Sequence, residues 1–166
     1  MSKHNHRKVQ PRTLSSKPVS SSHLGTTLVD IIILVRGRLD VLEKCLTAIP
    51  EAFPEIAYNI IIVDNASEEV VGADAIHAFA QQHKDVTWVR SKTNLGFPAG
   101  CNLGARRKAS PILFFLNSDV ILDPGSGTRL LMVMDKPEVV IAGMKLRFAS
   151  ESAYIDAGLN PSIRPA

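Results

Sequence analysis

No run of apolar residues in this 166-residue chain approaches the ~18 needed to cross a bilayer, so no segment reads as a spanning helix. The first residues are basic and polar, without an apolar stretch or a small-residue cleavage site, and no secretory signal is legible. Only two cysteines occur, Cys45 and Cys101, too far apart for a metal-ligand pair. A cytosolic, reduced setting with two packed thiols is therefore expected, with attachment at an inner membrane surface as its variant. The histidines build no metal site: His4, His6 and His23 lie near the start, and His77 and His83 fall on a helical stretch. Missing too are the Gly-Lys-Ser/Thr of a Walker loop, a GxGxxG after the first strand and a Ser-centred nucleophile elbow.

Acids are absent from residues 1–27, which carry Lys3, Arg7, Lys8, Arg12 and Lys17. The net charge of +3 thus divides into +5 for this tail and −2 for the rest, where 14 basic residues face 16 acidic ones. The tail is rich in Ser, Lys, His and Pro, and such a composition is expected to be disordered. A solubilising extension explains it better than nucleic-acid or anionic-membrane binding. Residues 28–166 then form the domain. At 45% hydrophobic and 21% charged the chain is ordinary for a soluble protein, with length for one real core.

What is present is regular. Residues 29–35, "VDIIILV", form a β-branched run suited to a parallel sheet covered on both faces. Leu39, Leu42, Leu46 and Ile49 recur at helical spacing, and Pro50 is expected to end that helix. A second buried strand lies in "YNIIIVDNAS" (58–67), then a helix marked by Ile76, Phe79, Ala80 and His83, and a short strand at 86–90. A helix from about Pro98 to Lys108, a strand at 112–116, a helix near 127–134 and a strand at 139–142 complete the series. Alternation of this kind predicts an α/β fold with an open, doubly wound, mostly parallel sheet. Such sheets bind ligands beyond the carboxyl ends of their strands. Three strands here end in polar clusters: Arg36-Gly37-Arg38, Asp64-Asn65 and Asn117-Ser118-Asp119.

Each cluster has a plain and a chemical reading. Asp119 is a turn or cap residue, or a lone carboxylate for a hard cation that also takes substrate phosphates. Asp64 caps the next segment, or accepts hydrogen bonds from a base or ribose. Gly96, Gly100 and Gly104, spaced by four, either let a helix pack closely on a strand or bare backbone N–H groups to an anion. Asp123 belongs to a "DPG" turn.

Together, "VDIIILVRGRLDVLEKCL", "IIIVDNAS", "NLGFPAGCNLGARRKASPILFFLNSDVILDPG" and "VVIAGMKLRF" resemble the nucleotide-sugar-binding half of family 2 glycosyltransferases, of GT-A fold, over roughly residues 28–160. The resemblance looks closest to the branch acting on rhamnose-type and cell-surface polysaccharides. It implies a UDP- or dTDP-linked sugar donor, a glycan acceptor and Mn²⁺ or Mg²⁺. Asp64, with Asn65, matches the residues at the nucleotide base. Asn94, Gly96, Phe97, Gly100 and Asn102 match the loop and helix that enclose the nucleoside diphosphate. Asn117, Ser118 and Asp119 occupy the Asp-x-Asp position, with Asp119 as the metal ligand. Val35 and Arg36 stand where the family has Thr or Pro-Tyr-Asn, so Arg36 replaces an aromatic.

In the family the base that deprotonates the acceptor comes from a segment beyond the last matched strand. Residues 144–166 offer only Glu151 and Asp156 by default, so the catalytic residue is unassigned and the chain reads as an apparently truncated, donor-binding half. Another chain supplying the acceptor region is one way to complete it. A catalytically silent nucleotide-sugar-binding or scaffold domain is the competing reading. A nucleotidyltransferase would want a longer Gly-rich loop after the first strand.

Overall fold

The computed structural model describes residues 29–107 and 109–147. In chain order the elements are β1 (Val29–Val35), α1 (Leu39–Ala52), β2 (Tyr58–Asn65), α2 (Glu68–Val71), α3 (Ala73–Gln82), β3 (Thr87–Ser91), α4 (Gly96–Ala105), β4 (Ile112–Asn117) and α5 (Ser126–Met134). The four strands form one sheet in the order β3-β2-β1-β4, and every neighbouring pair is parallel.

The uninterrupted apolar run of β1 is explained by burial on both faces. Val29, Ile31, Ile33 and Val35 pack with Leu42, Cys45, Leu46 and Ile49 of α1 and Leu131 of α5. Ile32, on the other face, packs with Ile61, Val63 and Val89 under Leu103 and Ala105 of α4. Two consequences position the site. All four strands point their carboxyl ends to one rim, and the order of connection reverses between β1 and β4, the switch point where such sheets open a crevice.

Gly100 and Gly104 set how closely α4 approaches. A Cβ on Gly104 would stand 2.6 Å from Ile32 Cγ2 and 2.9 Å from Val63 Cγ2, and one on Gly100 2.5 Å from Leu34 Cδ1. For these two glycines close packing is the reading that holds. Gly96 touches nothing and instead takes a left-handed φ of 72° where the loop turns into the helix.

Several boundaries differ from expectation. Pro50 does not end α1, which runs on to Ala52 and closes with the Phe53 N–H donating to Ile49 O at 3.1 Å. Proline forfeits only its own bond to the carbonyl four residues back, a small loss in a last turn. Helix α4 starts at Gly96 rather than Pro98, and the one-turn α2 was not foreseen. No strand forms at 139–142: Val140 and Ile141 are 83% and 87% exposed. A β-branched run becomes a strand only by pairing, and these residues join no ladder. The basic tail, Glu151 and Asp156 lie outside the described residues.

The buried Asp30, at the amino end of β1, is not part of the rim. It accepts from Asn59 Nδ2 (2.8 Å), Ala109 N (2.6 Å), Ser110 N (3.0 Å) and Ser110 Oγ (2.7 Å), tying β1 to β2 and to the turn before β4. Burial pushes its carboxyl pKa up, but these hydrogen bonds outweigh burial and hold it below the ordinary value.

Candidate functional site

Register fixes how the polar strand ends meet. Val35 sits opposite Asp64 on one side, and Leu34 opposite Asn117 on the other. With neighbouring strands about 4.8 Å apart, the ends of β2 and β4 are roughly 10 Å from each other across β1. Asp64 and the turn carrying Asp119 therefore share one rim, on either side of the crevice.

Asp64 is 2% exposed and fully engaged. Its Oδ1 accepts from Ser67 N at 2.9 Å, and its Oδ2 accepts from Arg90 Nε at 3.0 Å. The cap reading is thus true of Asp64, and an ion pair with β3 is added to it. Arg90 was missed by sequence reading. Its signal was a basic residue near the end of β3, but only the register Asp64↔Arg90 makes the two a pair. Between them Ala66, buried, holds a left-handed φ of 64° and donates its N–H to Ser91 O at 3.1 Å. A non-glycine residue in that region stores about 1 kcal/mol of strain, the kind of cost that concentrates at functional turns.

Asn65 points to the opposite face, toward α4. Its Nδ2 donates to Asn94 Oδ1 (2.9 Å), while its own Oδ1 accepts from Leu95 N (2.8 Å). Asn94 Oδ1 also accepts from Gly96 N (2.9 Å). These two side chains clamp the start of α4 to the end of β2, and Asn65 is buried in doing so. Phe97, in the first turn of α4, leaves its ring 57% exposed beside the rim. Asn102 is exposed and lies six residues on from Gly96, about 9 Å further along the axis, outside the clamp. Gly100 is buried against Leu34.

On the far side of β1, Asn117 ends β4, and Ser118 and Asp119 form a turn closed by Val120 N donating to Asn117 O at 3.2 Å. Leu122, buried, anchors the chain just beyond. The Cys45 thiol donates to the same Asn117 carbonyl at 3.6 Å, fastening α1 under the turn. Burial, and secondarily the negative charge of Asp119, push the Cys45 thiol up to about 12. The Asp119 charge also supports Arg38, whose pKa is raised chiefly by its hydrogen bond to Asp40. Asp119 itself is exposed and takes part in none of the ion pairs among the described residues. Among those residues no group of three His, Cys, Asp or Glu gathers. One uncommitted carboxylate beside Asn117 and Ser118 suits a cation that completes its shell with water and ligand phosphates, rather than a caged structural metal.

The loop after β1 closes the rim. Gly37 has a left-handed φ of 83°, its N–H donates to Ser67 Oγ at 2.9 Å, and Val70 of α2 packs where a side chain would stand. Arg36 Nη2 pairs with Glu69 Oε2 at 3.0 Å.

The profile of the family described as "Glycosyl transferase family 2" matches residues 30–160. The chain belongs to that family. The family 2 domain covers most of the polypeptide, and its four-stranded parallel sheet matches GT-A glycosyltransferases over part of their length. The mannosyltransferase PcManGT of Pyrobaculum calidifontis, solved with GDP-Man and Mn²⁺, is 24% identical, with a TM-score of 0.50 over 61% of this chain and 30% of that one. TarS from S. aureus is 13% identical. Its 1–349 form has a TM-score of 0.50 over 65% of this chain and 31% of that one, and the structure described as TarS has 0.53 over 66% and 20%. The chain thus spans about a third or less of the length of these solved relatives. None of these three bears out the rhamnose-type branch. No curated protein sequence matches the chain significantly.

Proposed function

We propose that the family 2 domain binds the nucleoside diphosphate part of a nucleotide-sugar on its carboxyl rim and presents the sugar for transfer to an acceptor hydroxyl. The single observation that carries this is the pairing, across one crevice, of a locked carboxylate (Asp64) with an uncommitted one (Asp119). In the transfer, the acceptor oxygen forms a bond to the anomeric carbon, the bond from that carbon to the diphosphate breaks, and the nucleoside diphosphate leaves with the electron pair.

Asp64 keeps a lone pair on each oxygen after Ser67 and Arg90 are served, and a buried, oriented carboxylate is suited to accept from a base N–H. Val35, Asn65 and the Asn94–Gly96 clamp shape the wall of the nucleoside pocket. Phe97 offers an exposed ring, and Gly100 lets α4 lie close enough to form that wall. Asn102 serves as a polar contact further along the helix. Asp119, flanked by Asn117 and Ser118, would hold Mn²⁺ or Mg²⁺, which would neutralise diphosphate charge and ease departure of the leaving group. Leu122 and the Cys45–Asn117 contact keep that turn from drifting.

The group that deprotonates the acceptor is assigned to polypeptide outside the described residues, in this chain or a partner. The donor is UDP- or dTDP-linked, as the resemblance of the sequence motifs implies, with a GDP-linked donor the alternative that PcManGT with its GDP-Man suggests. The acceptor is a cell-surface polysaccharide or glycan, the sugar hexosyl or rhamnosyl. The cytoplasmic assignment draws support from Cys45 and Cys101, both free thiols. No described helix is long and apolar enough to cross a membrane.

Calorimetric titration with UDP, dTDP and GDP, each with and without Mn²⁺, tests the reading. We expect Mn²⁺-dependent binding of one of them that is lost in Asp119→Ala and weakened at least tenfold in Asp64→Ala. Metal-independent binding that survives Asp119→Ala would leave only a nucleotide-binding scaffold.

A further inference from the structure

Three arginines at this rim, Arg36, Arg38 and Arg90, are paired, and unequally, while Lys92, which follows β3 at the far edge of the sheet, makes no ion pair among the described residues. Arg90 holds the buried Asp64. Arg38 grips Asp40, two residues on, through Nε at 3.2 Å and Nη2 at 3.4 Å, a local fork within one turn. Arg36 reaches an exposed carboxylate on a separate element, Glu69 of α2, through one contact at 3.0 Å, with both side chains about half exposed (44% and 54%). Its backbone meanwhile is fixed, because Gly37 is bonded to Ser67 and packed under Val70. Residue 36 is the first beyond Val35, between Asp64 of β2 and Asn117 of β4, and so stands at the middle of the crevice.

Lys92 lies two strands from β1, so a diphosphate seated in the crevice between β1 and β4 finds a guanidinium there only by exchange. Giving up Asp64 would strand a buried carboxylate; the exposed Arg38–Asp40 pair would cost little to break, but Arg38 stands two residues further from the end of β1 than Arg36. Releasing Glu69 returns an exposed carboxylate to water at little cost. We propose, resting on the nucleotide-binding reading above, that Arg36 binds the diphosphate of the ligand and that Glu69 is its built-in competitor. Glu69 parks the guanidinium in the empty state and lowers affinity for the charged part of the ligand alone. Arginine suits the task because its planar fork can leave one carboxylate and engage two phosphate oxygens at once.

The experiment is calorimetry at fixed ionic strength and saturating Mn²⁺, with UDP, GDP, uridine and guanosine as probes. Glu69→Gln is expected to tighten diphosphate binding about two- to fivefold, the worth of an exposed ion pair, and to leave the nucleosides unchanged. Arg36→Gln should weaken diphosphate binding about tenfold or more, and in that background Glu69→Gln should do nothing. Glu68→Gln, the adjacent exposed acid without a contact to Arg36, separates removal of a nearby charge from release of Arg36 and should change little. Unaltered or weaker diphosphate binding in Glu69→Gln, or a gain that persists without Arg36, overturns the proposal. If wild type and Glu69→Gln bind equally while Asp64 and Asp119 still matter, this inference alone falls. If wild type binds no nucleotide, the reading of the rim falls with it.

Discussion

Arg90 Nε stands 3.0 Å from Asp64 Oδ2 across the β2–β3 ladder, joining a half-exposed guanidinium to a carboxylate that is 2% exposed. The unequal burial decides what each partner contributes. Asp64 is almost wholly shielded from water, whereas Arg90 is half exposed, so loss of the arginine leaves a buried charge unpaired while loss of the aspartate does not. Arg90→Leu is expected to destabilise the domain by about 1–3 kcal/mol, below the full cost of breaking a wholly buried pair because Arg90 is partly solvated. Urea unfolding checks it. Asp64→Asn combined with Arg90→Leu should recover part of that loss, and a double variant no better than Arg90→Leu alone would show that the pair does not set the stability of β2.

The Cys45 thiol, fully buried beneath the Asn117 turn and raised to about 12, should be inert in the native protein. Cys101, half-buried on α4, has its pKa raised by burial alone. Iodoacetamide at pH 8 followed by mass spectrometry is expected to modify Cys101 first, with Cys45 labelled only once urea opens the core. Labelling of Cys45 at the rate of Cys101 would contradict the packing of α1 under β4.

The fold was legible because periodicity and burial agree: β1 is apolar at every position but Asp30, and helices cover it on both faces of the sheet. The rim was legible too, since parallel strands must end together. The placement of Asp64, Asn65 and Asn117-Ser118-Asp119 at strand ends was legible from the apolar runs before them. What escaped depends on register or on long-range pairing. Arg90 gains its meaning from the strand opposite, Glu69 from a one-turn helix with no periodic signal, and the Asn65–Asn94 clamp from the approach of α4. Asp30 shows the converse. It is a buried carboxylate with four hydrogen bonds, yet it lies at the amino end of β1, away from the crevice. The 139–142 run misled because β-propensity measures fit to a paired surface, and no partner strand meets it among the described residues.

Asp30 makes acid sensitivity predictable. Its folded-state pKa is held below the ordinary value, so the stabilisation it gives is complete above about pH 4 and is lost as pH falls through the folded-state pKa. Asp30→Asn should lower stability at pH 7 by about 2–4 kcal/mol, since it replaces an acceptor of four hydrogen bonds and sets an amide against the donors. It should also flatten the decline of the urea midpoint below pH 4. An unchanged decline in the variant would assign acid unfolding to other carboxylates.

The three glycines of α4, alike in sequence, should separate by substitution to alanine. Gly104→Ala drives a methyl into the branched side chains of Ile32 and Val63, and Gly100→Ala drives one against Leu34. Because Ile32 and Val63 are buried in a close-packed layer, α4 must lift, at a cost of about 1–3 kcal/mol. Leu34 is less confined, so Gly100→Ala should cost less. Gly96→Ala meets no atom and is opposed only by its left-handed φ, about 1 kcal/mol. Nucleotide affinity should follow a different order. Gly96 donates to Asn94 within the clamp, so its substitution disturbs the rim directly, whereas Gly104 sits eight residues down the helix and acts only by moving it. Paired urea and calorimetric measurements on the three variants decide the matter: equal effects on binding and on stability would mean that the clamp does not shape the nucleotide pocket.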